Sequence, residues 1–102
     1  MRVIRVTMPD LTLWDIPVDV IARNRAAAYA EEFNNDIELS LKEDTLPLFE
    51  SNEYEIKDWA ANNMNWDDVK EVAKFVSNKI MTDGDFQEGW VNGNKEILEV
   101  NY

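Results

Sequence analysis

Neither cysteine nor histidine occurs in this 102-residue chain. Their absence excludes disulfides, thiolate nucleophiles, imidazole general bases and the usual ligands of a zinc site. A Ser-His-Asp triad cannot be assembled, and Ser40, Ser51 and Ser77 lie outside any GxSxG turn. Three glycines in all leave no Walker or dinucleotide-binding loop. No apolar run approaches the ~18 residues of a membrane span. The opening MRVIRVTMPD has two arginines but no apolar stretch long enough for a signal peptide. The sequence therefore reads as that of a soluble, intracellular, non-enzymatic protein without cofactor or metal. Carboxylate-pair catalysis is the one enzymatic option left formally open.

Positive charge is also scarce. Ten basic residues face twenty-one acidic ones, for a net charge of −11. The imbalance is local: residues 1–30 carry +1, residues 31–68 carry −10 and residues 69–102 carry −2. Only Lys42 and Lys57 interrupt the acids of the middle stretch. Such a surface repels nucleic acid and anionic membrane and attracts basic proteins. Mutual repulsion should also make the fold more stable in moderate salt, or towards pH 5, than in dilute neutral buffer.

What is abundant is core-forming residues. Hydrophobic types make up 45% of the chain, with four Trp, four Phe and three Tyr, enough for one folded domain spanning 1–102. RVIRVTM (2–8) reads as a strand, Pro9-Asp10 as a turn and LTLWDIPV (11–18) as the returning strand, with Pro17 at its end or edge. Asp19 is placed to cap a helix over 20–33, with Ala22, Ala26, Tyr29, Ala30 and Phe33 on one face, and Asn34-Asn35 ends it. DIELSLKED (36–44) predicts a short helix with Ile37 and Leu41 inward and Leu39 as a further candidate. TLPLFESN (45–52), broken by Pro47, predicts a turn packed down through Leu46, Leu48 and Phe49.

EYEIKDWAANN (53–63) predicts a helix with Ile56, Trp59 and Ala60 on one side, and Met64 takes the corner. Asn65 is a good N-cap, and Val69, Val72, Ala73, Val76 and Ile80 recur at helical spacing over 66–80. Asp83-Gly84-Asp85 predicts a loop. FQEGWV (86–91), Asn92-Gly93 and NKEILEV (94–100) predict a second hairpin about a favourable turn. The expected class is α+β, an antiparallel sheet from N- and C-terminal hairpins covered by three to four central helices.

Two local constellations merit weighing. Asp83, Asp85 and Glu88 supply oxygens that suit calcium, but they lack the ligand series of an EF-hand, so a solvated acidic loop is the better reading. DWAANNMNWDDV (58–69) sets Trp59 and Trp66 among aspartates. Both indoles at one helix corner fit a shared core. A half-exposed indole in an acidic rim would instead resemble an interface hot spot. Trp59, in mid-helix, is the expected buried indole and Trp66, just after the cap, the exposed one.

RVTMPD, WDIPVDVIARNRA and LKEDTLPLFESNEYEIKDWAANNMNWDDV resemble stretches of small, mostly uncharacterised proteins of tailed bacteriophages, over the chain up to about residue 76. The resemblance implies a phage accessory protein acting on host machinery in the bacterial cytoplasm. Anti-restriction and anti-CRISPR inhibitors of this size and charge include acidic DNA mimics. It transfers no catalytic or ligand residue. Together with the charge, it makes the basic surface of a host protein, or of a protein–nucleic acid complex, the expected partner, without direct nucleic-acid binding. The expected contact residues are Glu43, Asp44, Glu50, Glu53, Glu55, Asp58, Trp66, Asp67 and Asp68. The alternative is a small structural or assembly protein in which strand edges and a spare Trp pair copies into a homodimer.

Overall fold

The structure, a computed structural model, describes residues 1–9, 12–77 and 86–101. Four strands, β1 (Arg2–Thr7), β2 (Leu13–Pro17), β3 (Lys74–Ser77) and β4 (Lys95–Glu99), form one antiparallel sheet in the order β3-β2-β1-β4. Ile4 pairs with Ile16 and Ile97, and Val6 with Trp14, so strand alternation directs these residues to one face. They join a single core with Ile21, Ala22 and Ala26 of α1 (Val18–Ala28) and with residues of the later helices.

The opposite face presents Val3, Arg5 and Asp15. Arg5 Nε and Nη2 donate to the two Asp15 carboxylate oxygens at 2.7 and 2.9 Å, a forked pair whose acid is fully buried. Pro17 closes β2 and leads directly into α1, as its missing N–H requires. Asp19 does not cap α1, which begins at Val18; it sits in the first turn and pairs with Arg23 at 3.3 Å. A 3-10 turn (Ala30–Phe33) follows, and Asn34 and Asn35, both at positive φ, turn the chain. Asparagine tolerates that left-handed backbone better than most residues.

Residues 37–51 correct the expected helix-then-turn. They run as α2 (Ile37–Ser40), a π-helical segment (Leu41–Thr45) and α3 (Leu46–Ser51), with Pro47 inside the first turn of α3. Leu46 N–H reaches back five residues to Leu41. A proline ring collides with the carbonyl four residues earlier in a regular helix, and the widened turn relieves that collision. Leu41 and Phe49 are buried, whereas Ile37, Leu39 and Leu46 lie on the outside.

α4 (Glu53–Asn63) begins as expected, with the Asn52 side chain accepting from Tyr54 N at 3.0 Å. Asn65 begins α5, and its N–H donates to Asp68 Oδ2 at 2.7 Å in a capping box. The expected long helix over 66–80 is overturned. α5 spans only Trp66–Val69, Val72 and Ala73 lie in the connection that follows, and Val76 falls in β3; Ile80 lies outside the described residues. β2 needs partners for its second backbone edge, and Phe75 supplies an edge-to-face contact with Trp14 at 5.2 Å. Sheet pairing there outweighs local periodicity.

The second hairpin is overturned as well. Residues Phe86–Asn92 form a helix, α6, and β4 pairs with β1 instead. Asp83-Gly84-Asp85 lies outside the described residues. Gly93 has no positive φ and makes no hairpin turn. It is small because a Cβ there would fall onto the Gly89 and Thr7 carbonyl oxygens.

Candidate functional site

The helical layer carries most of the acidic stretch. Glu43, Glu50, Glu53, Asp67 and Asp68 are exposed, while Asp44, Glu55 and Asp58 are half-buried. These side chains are spread over four elements. Glu43 and Asp44 sit on the π segment, Glu50 on α3, Glu53, Glu55 and Asp58 on α4, and Asp67 and Asp68 on α5.

Although only Lys42 and Lys57 interrupt the acidic stretch in sequence, α1 lends it arginines in space. Arg25 Nη1 donates to Asp44 Oδ2 and to the buried Thr45 hydroxyl, each at 2.9 Å. Its guanidinium also lies 4.6 Å from the Tyr29 ring centre and 5.9 Å from that of Trp59. Arg23 reaches Glu38 at 2.7 Å, and first Glu38 and then Asp19 raise the pKa of its guanidinium. Lys70 pairs with Asp67 at 3.1 Å. Asp36 and Asp68 are helix caps, and Asp58 accepts from Asn62 at 2.8 Å. Of the expected contact residues, Glu43, Glu50, Glu53 and Glu55 form no ion pair among the described residues, so their charge is open to a partner.

The tryptophans answer the hot-spot question differently from the expectation. Trp59 is not wholly buried: it is half-exposed, donates to Asn24 Oδ1 at 2.9 Å and leans on Tyr29. Trp66 is half-buried too, with its ring 5.9 Å from Trp14 and 6.4 Å from Trp90. Its backbone N–H donates to Gln87 Oε1 at 2.7 Å, tying the corner to α6. The fully buried indole is Trp90, which donates to the carbonyls of Ala60 at 2.9 Å and Met64 at 3.2 Å. No single-segment pattern marks it, because its neighbours come from α4, α5 and α6.

Two clefts flank this layer. One, of about 330 Å³, is mainly apolar and bounded by Met1, Pro17, Val18, Leu46, Phe49 and Glu50. The other, of about 390 Å³, opens between α4 and the turn joining α6 to β4, where Lys57 and Asp58 face Lys95. Lys95 Nζ donates to the carbonyls of Val91 at 3.0 Å and Gly93 at 3.2 Å. Burial first, and the charge of Lys57 second, lower its pKa. Nothing in the sequence spacing links these two lysines. Among the described residues no three acidic side chains converge to hold a metal ion, and no helix is long and apolar enough to cross a membrane. No protein-family model, curated protein or solved structure matches the chain.

Proposed function

We propose that the protein is a non-enzymatic acidic binding module, encoded by a phage, that inhibits a host nucleic-acid-binding protein or defence complex by occupying its basic surface. The observation that carries this reading is the set of unpaired carboxylates, exposed at Glu43, Glu50 and Glu53 and half-buried at Glu55, on a helical layer held by capped helix starts. Carboxylates fixed on packed helices present negative points at defined spacings, as a phosphate backbone does, and they attract the same lysines and arginines. Occupation of a groove requires no catalytic group.

The test is capture of a purified bacterial DNA-binding protein in place of its DNA. Binding should weaken by at least tenfold between about 50 and 200 mM salt. It should be lost in the triple variant Glu43→Lys, Glu50→Lys, Glu53→Lys, whose fold circular dichroism would verify. A complex indifferent to both salt and charge reversal would overturn the reading.

A second reading, self-assembly, is favoured by one observation. Val72, Phe75 and Val76 are 46%, 40% and 37% exposed on and beside β3, the strand at one edge of the sheet. Sedimentation equilibrium separates the two, since a symmetric oligomer with no affinity for basic proteins belongs to the second.

A further inference from the structure

The cleft between α4 and the α6–β4 turn gathers positive charge in a chain that has little of it. Lys57 comes from the middle of α4 and Lys95 from the first position of β4. Neither forms an ion pair with a carboxylate among the described residues. Among the described residues the one acid lining the cleft, Asp58, is engaged by the Asn62 amide at 2.8 Å. An acidic protein with carboxylates to spare thus leaves two ammonium groups facing one concavity.

We infer that this cleft binds a small phosphorylated molecule, with the phosphate group seated between the Lys57 and Lys95 ammonium groups. Lys95 is prepared for the task. Two of its three N–H bonds go to the carbonyls of Val91 and Gly93 at the end of α6, which fix the head group and leave one donor for a ligand. The electrostatic balance agrees, because burial and Lys57 disfavour the Lys95 ammonium and a dianion placed between them would reverse that penalty. Asn62, Asn92, Asn94 and Tyr54 add amide and hydroxyl donors, more than one carboxylate could use but suited to the three outer oxygens of a phosphate. The volume of about 390 Å³ exceeds what a bare phosphate fills and lies in the range of small-molecule sites. The same amides, with Asp58, offer acceptors to a hydroxyl-bearing body. This site takes an anion whereas the acidic face takes a cation, so either reading can fail without the other.

The experiment is an amide NMR titration of the intact chain with inorganic phosphate and with glycerol phosphate, beside sodium chloride at matched ionic strength. Saturable shifts are expected at Gly93, Asn94 and Lys95 with both phosphates and not with chloride. Lys57→Gln should weaken binding by about tenfold, the scale of one charge-assisted contact. Asp58→Asn, which removes the like charge, should tighten it. Among the described residues, the titratable groups facing Lys95 in the cleft are Lys57, Asp58 and Tyr54, all from α4, and Asn92 and Asn94 contribute amides. Direct NMR titration of the Lys95 side chain should therefore show its lowered pKa rising when phosphate is bound, and binding should fall as pH climbs through that value. Absence of saturation, equal shifts with chloride, or unchanged affinity in Lys57→Gln would overturn the inference.

Discussion

At the scale of single residues, Trp90 anchors the molecule. Its indole fills the space beneath α4, and its N–H satisfies two carbonyls where that helix ends. Trp90→Ala removes a fully buried aromatic and leaves those carbonyls without their shared donor. It should cost ~3–5 kcal/mol in denaturant melts. Trp59→Ala and Trp66→Ala each remove a half-exposed ring and should cost clearly less. Equal losses for Trp66→Ala and Trp90→Ala would mean that the Trp14–Trp66–Trp90 contacts behave as one unit. The sequence placed Trp59 and Trp66 on the right elements, because a helix of residues 53–63 ending at an Asn65 cap is written in local spacing. It could not weigh their burial. An indole is covered by whatever packs on it, and Asn24, Arg25 and Gln87 are far away in the chain.

At the scale of elements, the legible parts are those governed by nearest neighbours. β1, β2, α1 and α4 fall close to their expected places, since alternation, helical spacing and caps act within a few residues. The illegible parts are those in which a distant element decides. Val69, Val72 and Val76 recur at a spacing that fits a helix, but residues 74–77 pair with β2 instead. Residues 86–91 read as a strand beside the Asn92-Gly93 turn signal, but they must bring Trp90 under α4 and Gly89 against Met8 and Pro9. Asn92-Gly93 reads as a hairpin turn, although Gly93 is there because backbone crowds it. Gly93→Ala should consequently destabilise the fold by about 1–3 kcal/mol, the cost of forcing an extra carbon into a packed site. Thermal melting checks this, and an unchanged Tm would show that α6 shifts freely away from Thr7. The candidate cleft is illegible for the same reason. Lys57 and Lys95 meet only because β4 lies beside β1 and α6 packs beneath α4.

At the scale of the whole molecule, the −11 net charge and the arginines of α1 oppose each other. Exposed pairs such as Arg23 with Glu38 contribute little in water, whereas the repulsion among the remaining acids acts over a Debye length. Raising salt from about 20 to 200 mM should therefore raise Tm by a few degrees, roughly the shift of 1 kcal/mol in a domain of this size. A fall in Tm would show that the ion pairs dominate. The sheet order has a further consequence, for the path by which the fold is reached. β1 and β2 are joined locally and can pair early. Val3 and Ile4 find Leu98 and Ile97 only across nearly the whole chain. Closing so long a loop is slow, since its entropy is lost before the strand contacts repay it. The arrival of β4 is then a late step, and until it comes one backbone edge of β1 stays bare. A folding chain held at that stage exposes a strand rich in valine and isoleucine to any similar chain nearby, so during folding the molecule's greatest hazard is its own first strand.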